Sequence, residues 1–237
     1  MLARTDSVPP SFVGLAGAEM VLDPCGALAW PERRVLAVAD LHLEKASAFA
    51  RRGQMLPPYD SADTLARLEA LVARWAPALI VALGDTLHDR WAQERIAPQT
   101  RHRLAALQRG RTFVWIAGNH DPEPCALLEG EWAREIRIGP LTFRHEPSAE
   151  AGAGQVAGEV AGHLHPVARL VQRGRSIRRR CFATDGVRMV LPALGSLTGG
   201  LNVRHPAVSS LFGGRYEAHM LGAARTYRIA ADACLGD

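Results

Sequence analysis

Three short, nearly unbroken apolar runs, each ending abruptly in a polar cluster, constrain this chain more than any other feature. Arg34–Ala39 (RVLAVA) runs into Asp40, Ala78–Leu83 (ALIVAL) into Gly84-Asp85, and Thr112–Ala117 (TFVWIA) into Gly118-Asn119-His120-Asp121. Bounded apolar runs of this length predict strands buried on both faces, as in a parallel sheet. Between the first two runs, Asp60-Ser61 offers a helix N-cap, and Leu65, Leu68, Leu71, Val72 and Trp75 recur at helical spacing until Pro77. A weaker helical pattern covers Pro98–Gln108 and is closed by Gly110. This alternation predicts an α/β fold. In such sheets functional groups collect at the carboxyl ends of the strands, so the three clusters are expected to converge.

The second half changes character. Glu135–Ile138, Leu141–Arg144, Val167–Gln172, Arg179–Ala183, Val187–Leu191 and Ala224–Ile229 are short β-rich segments separated by Gly and Pro, with few helix signals. Ala149–Gly154 (AEAGAG) reads as a loop of small residues. A chain of 237 residues, 48% hydrophobic, can bury a substantial core. Neither repeat nor linker divides it, so a single domain over 1–237 is expected.

Composition excludes several classes. The 28 basic and 24 acidic residues leave +4, a mild balance in which every basic residue but Lys45 is an arginine. It suits a polyanionic substrate without indicating nucleic acid by itself. Cys25, Cys125, Cys181 and Cys234 are scattered with no CxxC pair, so free thiols are expected rather than a disulfide framework or a zinc ribbon. The first twenty residues do not read as a signal peptide. The longest apolar run, Ala76–Leu83, contains a proline and is far shorter than the ~20 residues of a membrane span. The expectation is a soluble, cytoplasmic protein with no membrane partner.

The clusters carry the chemistry. Asp40-Leu41-His42 places two metal-binding side chains on one side of an extended segment. Asp85 has two oxygens and can bridge two cations. Asn119, His120 and Asp121 add an amide oxygen, an imidazole and an acid; His145 closes the Leu141–Arg144 strand. Gly162-His163-Leu164-His165 presents two more imidazoles, with the glycine read as permitting a tight turn. Each motif alone is ordinary: a solvated strand end, a turn or a structural histidine. All five together, in one order and at strand ends, provide two ligand sets. Oxygen and imidazole donors without thiolate suit manganese, with iron and zinc as alternatives.

The order D-x-H, G-D, G-N-H-D, H, G-H-x-H over Asp40 to His165 resembles the calcineurin-like metallophosphoesterases. Within them, DLHLEKASAFARRGQMLPPYD, ALGDTLHD and LPALGSLTGGLNVR are similar to the ligase-associated DNA damage response phosphoesterases (PdeM-like). The resemblance implies an αββα sandwich of two mixed β-sheets flanked by helices. It implies two divalent metal ions, one held by Asp40, His42 and His165, the other by Asn119, His145 and His163, with Asp85 bridging. A metal-bridging hydroxide would attack phosphorus, with His120 stabilising charge or protonating the leaving group and Asp121 holding its imidazole. It further implies a phosphodiesterase or nuclease acting on DNA in repair, associated with an ATP-dependent DNA ligase and a helicase. A phosphomonoesterase or nucleotide hydrolase, or a metal-bound non-catalytic partner, remains open. Glu44 departs from the family, where glycine is expected.

Substrate contacts are less constrained. Lys45, Arg51 and Arg52 follow the first motif, and His88 and Arg90 follow Asp85; these are candidates for lining the cleft. Arg173, Arg175, Arg178, Arg179 and Arg180 read as solvated residues of a hairpin tip in preference to a DNA-binding patch. Gly195–Gly200 (GSLTGG) is not a GxxxxGK[ST] phosphate loop, and by the resemblance lies near the metal centre.

Overall fold

Strand pairing follows the apolar pattern. The computed structural model describes residues 10–149 and 158–237; apart from Ala149, the expected small-residue loop lies outside them. The first sheet has seven strands side by side in chain order: β1 (Ser11–Leu15), β2 (Ala18–Leu22), β3 (Leu28–Trp30), β4 (Val35–Val38), β5 (Leu79–Ala82), β6 (Thr112–Ile116) and β7 (Glu131–Ala133). β1 to β4 pair antiparallel; β4 to β7 pair parallel. Four helices fall in this half: α1 (Lys45–Ala50), α2 (Asp60–Trp75), α3 (Ala92–Arg95) and α4 (Pro98–Gln108). α2 stops at Ala76, which turns left-handed before Pro77.

The second half supplies β8 (Glu135–Ile138), β9 (Leu141–Arg144), β10 (Gly158–Ala161), β11 (Val167–Gln172), β12 (Arg175–Thr184), β13 (Arg188–Val190), α5 (Pro206–Ser209), β14 (Glu217–Leu221) and β15 (Thr226–Ala230). They form an eight-stranded sheet in the order β15-β14-β12-β13-β10-β9-β8, with β11 paired to β12. β9, β10 and β13 run parallel, and the remaining pairs are antiparallel. Both sheets are therefore mixed.

Alternation along β4, β5 and β6 divides the core. Leu36, Val38, Ile80, Ala82, Phe113 and Trp115 face Leu65, Leu68, Leu71 and Val72 of α2 and Leu104 and Leu107 of α4. An isolated sixteen-residue helix is marginal in water, so α2 depends on this burial, at roughly 1.5–3 kcal/mol per large apolar side chain. Val35, Ala37, Val81, Val114 and Ile116 point the other way, onto Leu141, Phe143, Val160, Phe182 and Met189 of the second sheet. The outer face of that sheet is covered by Val203, Val208 and Phe212. The helical layer expected there is reduced to the single turn of α5 and its connecting chain.

Among the described residues, β1, β2 and β3 extend the first sheet beyond the three strands read from sequence. β10 (GEVA) is short and contains Glu159, so it carries no apolar signature. That carboxylate is buried against the guanidinium of Arg188, which also donates to the carbonyls of Leu211 and Ser148, each at 2.9 Å. Both side chains are about 2% exposed. Removing one member of such a pair leaves an uncompensated buried charge. Arg188→Ala is expected to lower stability by about 3–5 kcal/mol in urea unfolding; a loss below about 1 kcal/mol would mean that Arg144, 3.5 Å from the same carboxylate, compensates Glu159.

Candidate metal centre

Two carboxylates, Asp40 and Asp85, are almost fully buried at the strand tips. Among the described residues neither has a lysine or arginine within ion-pair distance; their neighbours are imidazoles. His165 Nε2 lies 3.3 Å from Asp40 Oδ1, His145 Nε2 3.5 Å from Asp85 Oδ1, and His42 Nε2 3.8 Å from Asp85 Oδ2. Ligand atoms of Asp40, His42 and His165 lie within 4.8 Å of one another, as do those of Asp40, Asp85 and His145 and those of His42, His88 and His120. β4, β5, β6, β9 and β10 all aim their carboxyl ends at this cluster, so the two sheets meet at it.

The donor chemistry fits a cation. His145 Nδ1 donates to the Leu83 carbonyl at 2.8 Å, which leaves its Nε2 lone pair facing Asp85 Oδ1 and, at 3.2 Å, His163 Nδ1. Such a backbone partner on the far nitrogen is how ligating histidines are oriented. His42 Nε2 and His165 Nε2 are buried without a hydrogen-bond partner. Burial, and then the neighbouring His165, His120 and His88, push His42 down to about 2, keeping it neutral as a ligand must be. Burial and His145 likewise lower His163. Buried anions and aligned lone pairs repel one another unless positive charge sits between them.

The backbone route to this arrangement is not the one expected. Asp40 and His42 are not in extended chain: their φ angles are 53° and 44°, and Glu44 has 67°. Left-handed residues at every second position, with Leu41 and Leu43 buried between them, bring the two side chains together. His163 (69°) and His165 (47°) repeat the device. Gly162 has no positive φ; its part is close approach, since a Cβ there would lie 2.8 Å from Asp40 Oδ2. Gly118 is tighter still, with Asp85 N 2.2 Å from the position of a Cβ.

His120 is half-exposed. Its backbone N–H donates to Asp85 Oδ1 at 2.9 Å, and its Nε2 lies 4.0 Å from Asp85 Oδ2. Its imidazole is not held by Asp121. Nδ1 donates instead to the His88 carbonyl at 2.6 Å, and the His88 ring stacks on it with centroids 5.0 Å apart. Asp121 Oδ2 accepts from Leu87 N at 3.0 Å, so it pins the loop carrying Asp85. Burial pushes that carboxyl up to about 7, although the N–H groups of Leu87 and Thr86 oppose the rise. Asn119 is exposed and reaches the group through Glu146, whose Oε1 accepts from Asn119 Nδ2 at 2.7 Å and lies 3.9 Å from His163 Nε2. Glu146 follows His145 directly, and that adjacency was its only sequence signal.

The expected substrate-contact residues fall around this centre. Lys45 opens α1; burial and the Arg180 charge lower its ammonium. His88 is pushed down to about 4 by burial, then by His120 and Lys45, with Arg52 adding to the effect. Arg51 and Arg90 sit over the ring of Trp91, at 5.8 Å and 4.0 Å. That half-exposed indole was not anticipated. Arg90 and Trp91 line a groove of about 490 Å³ with Asn119 and His120. The GSLTGG loop does lie beside the centre, where Gly195 N donates to the Asp40 carbonyl. Arg180, read as solvated, instead caps that loop, donating to the carbonyls of Ala193, Gly195 and Thr198.

A hydrolase of two mixed sheets with carboxylates and imidazoles at converging strand tips is the class that this geometry defines. Residues 33–180 match the profile of the calcineurin-like phosphoesterases, and that stretch holds every residue of the cluster; the chain belongs to this family of binuclear metal-dependent enzymes and is a phosphoric ester hydrolase. The nuclease MPE of Pseudomonas putida has a solved structure similar to this one, with TM-score 0.70 and 32% identity, covering 93% of this chain and 100% of that chain. Yfce, a phosphoesterase from E. coli, matches at TM-score 0.40 and 16% identity over 83% of this chain and 98% of that one, too remote to carry an argument. No curated protein sequence matches the chain.

Glu44 occupies the position where the family resemblance leads one to expect glycine, and its left-handed φ is the physical reason. Its carboxylate accepts from Ser61 Oγ at 2.9 Å and Ser47 Oγ at 2.8 Å. Glu44→Ala keeps the strain and loses these bonds, whereas Glu44→Gly loses the bonds and the strain. Urea unfolding should find the alanine variant about 1 kcal/mol less stable than the glycine variant; equal stabilities would show that Glu44 is unstrained.

Proposed function

We propose that this protein is a nuclease, a phosphodiesterase whose single catalytic domain binds two divalent cations, and that its substrate is DNA. The observation that carries the metal reading is the pair of buried, unpartnered Nε2 atoms of His42 and His165 which, with His145 Nε2, surround Asp40 and Asp85. In this reading Asp40, His42 and His165 hold one ion, Asn119, His145 and His163 the other, and Asp85 bridges them. Oxygen and imidazole donors without thiolate suit manganese, iron or zinc, and we take manganese as the ion. Bound there, the ions supply Lewis acidity toward phosphoryl oxygens and activate water at neutral pH.

The chain's own residues do the rest. With Nδ1–H fixed on the His88 carbonyl, His120 presents Nε2 to the bound ester and carries the proton that the leaving oxygen takes up. Asp121 acts through the loop of Asp85 rather than through His120. Lys45, Arg52 and Arg90 supply positive charge for flanking phosphates, and Trp91 a face for a base. The nuclease reading is supported by the likeness to the Pseudomonas putida nuclease MPE over nearly the whole chain. We place it in DNA repair, with an ATP-dependent ligase and a helicase as functional partners, on the sequence resemblance; neighbouring genes for either test that assignment.

Three measurements test this reading. Manganese-loaded protein should hydrolyse bis-p-nitrophenyl phosphate and cleave single-stranded DNA; turnover of p-nitrophenyl phosphate alone would make it a monoesterase. Free manganese at ~100 times its Kd should stabilise the fold by about 2.7 kcal/mol in thermal unfolding, because it compensates Asp40 and Asp85 only in the native state. An unchanged unfolding curve would remove the cluster as a metal site. His120→Ala should lower kcat by about 10²–10⁴ while metal analysis finds both ions retained; loss of the ions would make His120 a ligand.

A further inference from the structure

A second cation-rich surface lies on the far side of the GSLTGG loop. β12 pairs with β11 as far as Arg180 and with β14 from Cys181 onward. Where the partner changes, a cavity of about 1100 Å³ opens between the β11–β12 hairpin and the β14–β15 hairpin. Arg67, Arg178, Arg179, Arg180 and Arg228 line it, and among the described residues no aspartate or glutamate does. The cleft beside β1 is unlike it: there Arg204 and Arg215 alternate with Asp185, Glu217 and Asp232.

The five guanidinium groups are not equivalent. Arg178 and Arg228 are paired with Asp237 and Glu217 outside the lining. Arg67 and Arg180 donate only to carbonyls, Arg67 to Leu194 and Arg180 to Ala193, Gly195, Ser196 and Thr198. Arg179 is exposed and has no side-chain partner among the described residues. Burial and Arg67 lower Arg180 to about 10, as expected for a cation without an anion beside it. Val171 and Tyr227 line the cavity too, exposed by 54% and 49%, and Arg225 sits over the Tyr227 ring from outside it. Positive groups beside an exposed aromatic ring suit phosphates and stacked bases; an acidic peptide would leave the apolar groups unused. Two hydrogen bonds join this surface to the catalytic cluster: Arg180 to the Gly195 carbonyl, and Gly195 N to the Asp40 carbonyl.

We propose that this cavity is an exosite for single-stranded nucleic acid, holding substrate phosphates and bases beyond the scissile bond. The inference rests on the nuclease reading and adds to it a surface that small diesters never touch. It makes long strands better substrates than short ones and leaves bis-p-nitrophenyl phosphate turnover independent of the cavity.

The test uses manganese-loaded protein, with Arg179→Ala and Tyr227→Ala as variants and Arg109→Ala, an exposed arginine outside the cavity, as control. Binding is read by fluorescence anisotropy with a labelled phosphorothioate oligothymidylate, and turnover with the natural oligonucleotide. Arg179→Ala should weaken binding by about fivefold and reduce the slope of log Kd against log salt by about 0.7, the value for one lost phosphate contact on a single strand. Tyr227→Ala should weaken binding with the slope unchanged. KM on long single strands should rise in both while kcat/KM on bis-p-nitrophenyl phosphate stays at the parent value. Kd and slope equal to those of Arg109→Ala would overturn the exosite even if DNA is cleaved. Equal binding of duplex DNA, or of polyglutamate, would overturn the single-stranded assignment. Cavity-dependent binding without cleavage of any nucleic acid would instead overturn the nuclease reading and leave the exosite standing.

Discussion

Two buried carboxylates with no arginine or lysine within ion-pair distance among the described residues set the terms for the rest of this structure. Asp40 and Asp85 sit among imidazoles, of which burial keeps His42 neutral, and the unpartnered Nε2 atoms of His42 and His165 lie beside them. Bringing these groups together costs backbone energy as well as desolvation. Five of the seven proposed ligands, Asp40, His42, Asp85, His163 and His165, have left-handed φ angles. At about 1 kcal/mol or more each, that strain is comparable to the ~5–15 kcal/mol net stability of a whole domain. The two apolar layers on either side of the first sheet must hold the strand tips against it. Cation binding then relieves the electrostatic part.

The same constraint explains the loops between the strands and the helices. The loop after β5 is fixed from three sides. Asp121 binds Leu87 N, His88 N donates to the Leu43 carbonyl, and Arg95 binds both oxygens of Asp89 while also reaching Ser47. Ser47 in turn binds Glu44. His88 therefore has a fixed carbonyl to offer His120 and a fixed ring to stack on it. A half-exposed histidine gains a defined tautomer and orientation without a carboxylate beside it. Loop order here is a property of a hydrogen-bond network that crosses three segments of chain.

Legibility from sequence varied with the physics involved. The strands β4, β5 and β6 and the helices α2 and α4 were readable because burial on two faces, or on one helical stripe, writes a strong periodic pattern. β10 was not, since its buried Glu159 is stabilised by Arg188 from a neighbouring strand, and no local pattern records that. The proposed ligands were readable as a set because the motifs occur in order at strand ends. Their conformation was misread: alternation along Asp40-Leu41-His42 suggested extended chain, and left-handed backbone gives the same spacing by a different path. The role of Asp121 was misassigned because adjacency to His120 says nothing about which atom its carboxylate meets. Arg180 looked like its exposed neighbours in a run of arginines, yet it is half-buried and caps the loop beside Asp40.

Sequence by itself determined the α/β organisation, which oxygen and imidazole donors stand at the strand ends, and where glycines flank them. Those are local matters: periodic burial, donor type, and the absence of a side chain. Tertiary structure decided which nitrogen of each histidine is free and that His120 leans on His88 instead of Asp121. It also decided that Glu44 can stand in a left-handed position because Ser47 and Ser61 hold it. It gathered arginines from α2, β12 and β15 into one cavity with no carboxylate among its described lining residues. Those outcomes depend on contacts between residues far apart in the chain, and only the packed fold brings such partners within hydrogen-bond reach.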